Sequence, residues 1–126
     1  MTQAICAIVG AGEGLGRSLD AKFASQDFDI ALVSRSEKGS SAAASATAAA
    51  KPSANVQYFA ADANQPETVE EAFAKIAADM GDVEVLIYNA RGGDAPRDPL
   101  EMSYAGLEEI FRLAVIGAFA AAKSVP

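Results

Sequence analysis

The stretch Ile5-Cys6-Ala7-Ile8-Val9-Gly10-Ala11-Gly12-Glu13-Gly14-Leu15-Gly16 decides the fold of this chain. Its first five residues form a continuous apolar run, which is typical of a buried parallel strand. Glycines then occupy every second position, and a helical pattern follows. Strand, glycine turn and helix together form the arrangement that binds a dinucleotide pyrophosphate, because free N–H groups at the helix start face the anion. The plainer alternative is a tight turn that binds no ligand.

The rest of the chain continues the alternation of strands and helices. Because crossover helices join parallel strands, the pattern predicts an α/β fold, a Rossmann-type sheet in the order 3-2-1-4. We expect one partial dinucleotide-binding domain over residues 1–126. The predicted strands cover 4–9, 29–34, 55–60 and 83–88, and the predicted helices cover 14–26, 40–50, 66–80 and 104–124.

Helical spacing of apolar residues predicts which face of each helix is buried. Asp27 and Gly81 stand where the first and third helices should end, and Ser103 is the expected N-cap of the last helix. The residues that share one face are Leu15, Leu19 and Phe23 in the first helix, Val69, Phe73, Ile76 and Met80 in the third, where they form the buried stripe, and Leu107, Phe111, Ala114, Val115 and Ala118 in the last.

Composition excludes several classes of function. The 17 acidic and 10 basic residues give a net charge of −7, whereas nucleic acids and anionic membranes require a basic face. The chain contains no histidine, which excludes His-based triads and His-ligated zinc, and we expect no metal site. The single cysteine, Cys6, excludes an intramolecular disulfide. With no apolar stretch of the ~20 residues that span a bilayer, we expect a cytoplasmic protein.

The residues after the second strand discriminate between cofactors. A site for NAD places Asp or Glu here, to accept hydrogen bonds from the ribose hydroxyls. This chain has Ser34 and Arg35 instead. Serine leaves space for a 2′-phosphate and arginine can bind it with two hydrogen bonds, so the sequence favours NADP(H) over NAD(H). The alternative for Arg35 is a solvated charge, and Glu13 in the glycine turn counts against an anion nearby.

Asp62 follows the third strand and has two interpretations. At the carboxyl end of a strand its carboxylate could accept a hydrogen bond from the adenine amino group. It could equally cap the N-terminus of the following helix.

The absence of Gly-Lys-Ser/Thr after the glycines excludes a P-loop nucleotide site.

Taken together, these motifs resemble the short-chain dehydrogenase/reductase family over essentially the whole chain. The glycines Gly10, Gly14 and Gly16 match its turn, and Tyr88-Asn89-Ala90 is similar to its Asn-Ala-Gly motif. The resemblance implies an oxidoreductase that transfers hydride between NADP(H) and a carbonyl or alcohol. The implied cofactor-binding residues are Gly10, Gly12, Glu13, Gly14, Leu15, Gly16, Ser34, Arg35, Asp62, Ala63, Asn89, Ala90 and Arg91.

The chain also departs from the family pattern. Arg91 replaces the glycine that completes the Asn-Ala-Gly motif, where it either contacts phosphate or obstructs the site. Ala114 falls where the family has a catalytic asparagine. The family's Ser and Tyr-x-x-x-Lys lie downstream of Pro126, so we expect no catalytic residue within this sequence, and carbonyl substrates only when that half is supplied.

Three functions remain open at this point. The chain is the cofactor-binding part of an oxidoreductase, a non-enzymatic NADP(H) sensor or partner module, or an inactive remnant. We also expect self-association, because the fourth strand would form an apolar edge and Phe111, Val115 and Phe119 would present an apolar helix surface.

Overall fold

Four parallel strands form a single sheet in the order β3-β2-β1-β4, which confirms the predicted Rossmann-type topology. The computed structural model describes residues 3–10, 15–92 and 95–126. The strands are β1 (Ala4–Val9), β2 (Phe28–Ser34), β3 (Val56–Ala60) and β4 (Val83–Tyr88). Each lies within a residue of its predicted bounds, because long apolar runs between turn residues are a strong strand signal.

The helices cover both faces of the sheet. They are α1 (Leu15–Ser25), α2 (Glu37–Ala50), α3 (Pro66–Asp79), α4 (Tyr104–Phe111) and α5 (Gly117–Ser124). Side chains alternate along the strands, so Cys6 and Ile8 face α1 and α2, whereas Ala7 and Val9 face α3 and α5. Helix α2 starts one turn earlier than predicted, at Glu37 rather than Ser40.

The predicted helix ends are confirmed by backbone geometry. Asp27 has a φ of 68° and follows α1, and Gly81 has a φ of 123° and follows α3. Ser103 caps α4, since its side chain accepts a hydrogen bond from the backbone N–H of Gly106 at 3.0 Å. Pro66 lies in the first turn of α3, where a missing N–H costs nothing.

The buried face of α1 differs from the prediction. Gly16, Asp20 and Ala24 are buried, Leu19 and Phe23 are half-buried at the edge of the same core, and Leu15 is 62% exposed. The predicted stripe is therefore displaced by one residue. Small side chains at Gly16 and Ala24 let the helix approach the sheet closely, and the larger residues then flank that contact.

The last helix is not the single continuous helix that the sequence predicts. A π-helical segment, Arg112–Ile116, separates α4 from α5 and changes the helical phase. Leu113, Gly117, Ala120 and Ala121 are buried, whereas Ala114 is exposed and Ala118 only partly buried. A stripe four residues apart is exposed instead, and it consists of Leu107, Phe111, Val115 and Phe119.

None of the helices in the described ranges has both the length and the apolar character needed to cross a bilayer.

Candidate cofactor site

The carboxyl ends of all four strands meet at one edge of the sheet. Strand order reverses between β1 and β4, and in open α/β sheets ligands bind in the crevice outside such a reversal. Backbone hydrogen bonds extend the ladder beyond the strand ends here: the N–H of Gly10 donates to Val33, that of Asn89 to Val9, and that of Ala61 to Ser34, at 2.7 to 3.0 Å. These bonds hold together the segments that follow the four strands.

Gly10 occupies a position at this edge that only glycine can fill. Its φ is +91°, and a Cβ atom there would lie 2.6 Å from the backbone of both Asn89 and Ala90. Gly10 thus permits the ends of β1 and β4 to touch. At the start of α1, Gly16 is buried and Leu15 is exposed. The predicted contacts at Gly12, Glu13 and Gly14 lie outside the described residues.

Ser34 and Arg35 lie at the end of β2, as predicted. The Ser34 hydroxyl donates to the carbonyl of Ser36 at 2.9 Å and lies 2.6 Å from the Ser40 hydroxyl, which ties the end of β2 to α2. Arg35 is exposed. The ion pairs found within the described ranges join Lys51 to Asp27 and Lys123 to Glu70, so neither of them engages Arg35. A guanidinium here can reach an anion at the edge.

Asp62 forms a turn rather than a helix cap. Its Oδ1 accepts a hydrogen bond from the N–H of Asn64 at 2.9 Å, and its backbone is fixed from both sides by the hydroxyl of Thr68. The N-cap of α3 is Gln65, which makes no side-chain capping bond. The capping interpretation is therefore wrong. Ala63 is buried, and its carbonyl faces Gly117.

Asn64 is a polar residue that the sequence did not single out. Its Oδ1 is buried and has no hydrogen-bond partner among the described residues. Asn64 also lines a groove of about 710 Å³ along α4, together with Glu108, Phe111 and Arg112. An unpartnered acceptor of this kind costs free energy unless a donor reaches it. No sequence signal marks it, because Asn after a strand reads as an ordinary turn residue.

The segment after β4 carries the remaining predicted residues. Asn89 and Ala90 are half-buried against Gly10, and Arg91 is exposed. Tyr88, which precedes them, donates its hydroxyl to the carbonyl of Leu113 in the π-helical segment. Burial raises the pKa of the Tyr88 phenol, so it remains a hydrogen-bond donor.

These residues fit a dinucleotide. Gly10 lets the ends of β1 and β4 meet at this edge, exposed Arg35 offers a cation beside small Ser34, and Asp62 lies in the turn after β3 at the same edge. Ala114, at the position that matches the family's asparagine, lies exposed in the π-helical segment and offers no side-chain polar group.

Two relatives are similar to this chain in amino-acid sequence. The chain is 30% identical over 93 residues to the NADPH-dependent reductase BacG of Bacillus subtilis, a match over 74% of this chain and 36% of that protein. It is 28% identical over 86 residues to a short-chain dehydrogenase/reductase of Armillaria gallica, over 68% of this chain and 33% of that one. The chain thus spans about a third of the length of these relatives.

Solved structures give the same fold. YwfH, an NADPH-dependent reductase involved in bacilysin biosynthesis, superposes with a TM-score of 0.85 at 25% identity, over 98% of this chain and 48% of that one. Levodione reductase superposes with a TM-score of 0.89 at 24% identity, over 99% and 48%. The model of the short chain dehydrogenase family matches residues 4–126. The chain therefore belongs to the short-chain dehydrogenase family.

Proposed function

We propose that this chain is the NADP(H)-binding portion of a reductase or dehydrogenase that acts on a carbonyl or alcohol substrate. The observation that carries the choice of cofactor is the end of β2, where Ser34 and exposed Arg35 stand in place of a carboxylate. A carboxylate would repel a 2′-phosphate, whereas a guanidinium forms charge-assisted hydrogen bonds with it.

The relatives support the same choice. BacG and YwfH are both described as NADPH-dependent reductases, and the similarity to each of them covers most of the present chain. On this proposal a bound NADPH supplies the hydride for a carbonyl. The chain's own residues hold the cofactor: Gly10 and Gly16 frame the pyrophosphate, Arg35 binds the 2′-phosphate, and Asp62 accepts a hydrogen bond from the adenine amino group.

Replacing Arg35 by alanine should weaken NADPH binding without affecting NADH. Loss of a charge-assisted contact of about 1.5 to 3 kcal/mol predicts a ten- to hundredfold rise in the Kd for NADPH. NADH lacks the 2′-phosphate, so its Kd should stay within a factor of two. Calorimetric titration of both proteins with both cofactors measures this selectivity.

Lys38→Ala is the matched control, because Lys38 is also an exposed cation near the start of α2. It should change both affinities only slightly, as expected for a solvent-screened charge. Equal losses for NADPH and NADH in Arg35→Ala, or no loss for either, would overturn the proposed role of Arg35.

A second function, cofactor binding without catalysis, is favoured by two observations. Ala114 provides no side-chain polar group where the family has its asparagine, and Arg91 stands beside the site in place of glycine. The two functions differ in turnover. Sustained oxidation of NADPH by this chain with a panel of carbonyl compounds would contradict the non-enzymatic alternative and favour the reductase.

Self-association is a further proposal, supported by the exposed stripe of Leu107, Phe111, Val115 and Phe119 on α4 and α5. Contiguous apolar surface of this kind is commonly covered by another chain. We expect the wild-type protein to sediment above its monomer mass of 12.9 kDa at tens of micromolar, and Phe111→Glu to shift it to the monomer.

Ala78→Glu is the control for that experiment. Ala78 lies on the exposed face of α3, so the same added charge should leave sedimentation unchanged. A wild-type protein that sediments as a monomer at these concentrations would refute self-association. A Phe111→Glu protein that remains associated would move the contact away from the stripe.

A further inference from the structure

A buried carboxylic acid lies in the interface between α1 and the sheet. Asp20 is fully inaccessible to solvent, and neither of its carboxylate oxygens has a hydrogen-bond partner among the described residues. It belongs to the same helix face as Gly16 and Ala24, the residues through which α1 approaches the sheet. Charged groups are rarely buried unless they are paired, so this position needs a physical account.

Among the described residues, none of the groups around Asp20 neutralises it. The titratable group that faces it from β1 is the thiol of Cys6, which is itself fully buried. From β2, the buried residues on this side of the sheet are Ile30 and Leu32. The carboxylate of Asp29, near the start of β2, accepts instead from the backbone of Asn55.

Helix α2 provides no cation either. Its buried residues are Ser40, Ala43 and Thr47, and the two hydroxyls bond elsewhere, to Ser34 and to the carbonyl of Ala43. The other charged side chains of α1 and α2 in the described ranges are all exposed; they are Arg17, Lys22, Glu37 and Lys38. Ionised Asp20 would therefore be an unpaired buried charge.

Burial decides the protonation state of this carboxyl. It raises the pKa of Asp20 from 3.8 to about 7, so the packed helix holds a neutral carboxylic acid under mildly acidic conditions. Burial, and secondarily the nearby Asp20, raises the pKa of the Cys6 thiol to about 12. Cys6 is thus an unreactive thiol as long as α1 stays seated.

We propose that Asp20 makes the seating of α1 on the sheet sensitive to pH, so that rising pH releases the helix together with Gly16 in its first turn. Gly16 precedes Asp20 by one helical turn, about 6 Å along the axis. A loosened α1 cannot hold its N-terminal N–H groups towards an anion, and an ionised Asp20 repels that anion. The link to the cofactor rests on the proposed function; the release of α1 does not.

The sign follows from the two protonation states. The seated helix keeps Asp20 protonated, whereas a released helix exposes it to water, where it ionises near its ordinary pKa. Seating is therefore strongest below about pH 4, weakens as pH rises towards about 7, and levels off above that. Release should become about tenfold more favourable between pH 6 and pH 8.

Cys6 reports this release directly, because it is the only cysteine in the sequence and lies beneath α1. We would measure alkylation by iodoacetamide, a neutral reagent, between pH 6 and pH 8. The ratio of rates between wild type and Asp20→Asn cancels the intrinsic pH dependence of the thiol. That ratio should rise about tenfold across this range. A ratio that stays constant would overturn the inference.

Two further measurements keep the test decisive. Should Asp20→Asn fail to fold, amide hydrogen exchange of wild type compares α1 with α3, and protection of α1 alone should fall with pH. NADPH titrations at pH 6 and pH 8 test the link to the cofactor site. Absence of NADPH binding at both pH values would contradict the proposed function and leave the alkylation result interpretable. Equal NADPH affinity at pH 6 and pH 8, in a protein whose alkylation shows release of α1, would overturn the link between α1 and the cofactor site.

Discussion

Replacing Gly10 by alanine is expected to lower the free energy of unfolding by about 3 kcal/mol or more. Two costs combine. The backbone at this position has a φ of +91°, which side chains with a Cβ rarely adopt, and the new methyl group would lie 2.6 Å from the backbone of Asn89 and Ala90. The contacted atoms of Asn89 and Ala90 are backbone atoms that no side-chain rotation can move, so the ends of β1 and β4 must separate. Urea denaturation followed by circular dichroism measures the loss.

Gly81→Ala separates these two costs. Its φ is also positive, at +123°, but a Cβ there meets only the Cδ1 atom of Ile5 at 3.4 Å, an ordinary contact. The backbone strain alone should cost about 1 to 2 kcal/mol. If Gly10→Ala were no more destabilising than Gly81→Ala, the close contact between the ends of β1 and β4 would be incorrect.

Replacing Gly117 by alanine should cost about 2 kcal/mol, although alanine normally favours a helix over glycine by about 1 kcal/mol. A Cβ at this position would lie 2.5 Å from the Tyr88 hydroxyl oxygen and 2.6 Å from the carbonyl oxygen of Ala63. The Tyr88 hydroxyl is itself held by Leu113 in the π-helical segment. The added methyl group therefore pushes α5 away from β4 and from the Asp62 turn, as urea denaturation would detect.

Tyr88→Phe provides the double-mutant cycle for this contact. In the wild-type background it removes the hydrogen bond to Leu113 and should destabilise by about 1 kcal/mol. In the Gly117→Ala background it also relieves the overlap, so its cost should vanish or change sign. Strictly additive losses would show that Gly117 and Tyr88 do not compete for the same space.

The topology was predictable from sequence because it depends on strong local signals. Four apolar runs and the intervening helical patterns suffice for parallel strands, and the glycine run after β1 indicates the edge where we propose that the cofactor binds. The positions of Ser34 and Arg35 at the end of β2 were equally predictable, since the two residues are adjacent in the chain. Asp27 and Gly81 marked helix ends because few residues adopt a positive φ.

The orientation of the helices was less predictable, for a specific reason. Large apolar residues indicated the buried face of α1, but Gly16, Asp20 and Ala24 are the residues buried there. In the last helix the close contact is made by Gly117. The π-helical segment Arg112–Ile116 has no sequence signal of its own, yet it divides the predicted last helix into α4 and α5.

The buried polar groups required the structure. No local pattern marks Asp20 as buried, and only the packing of α1 shows that its carboxylate lacks a hydrogen-bond partner among the described residues. Asn64 is similar, because its unpartnered oxygen becomes apparent only when α4 is placed beside the turn after β3. Both depend on contacts between segments that are distant in the chain.

The central claim is that this chain holds NADP(H) at the edge formed by Gly10, Arg35 and Asp62. Calorimetric titration of the purified chain with NADPH, with NADH as the paired cofactor, tests it most directly, at pH 6 where α1 is seated. We expect saturable binding of NADPH that is at least tenfold tighter than the binding of NADH. A folded sample that binds neither cofactor, or that binds NADH as tightly as NADPH, would contradict it.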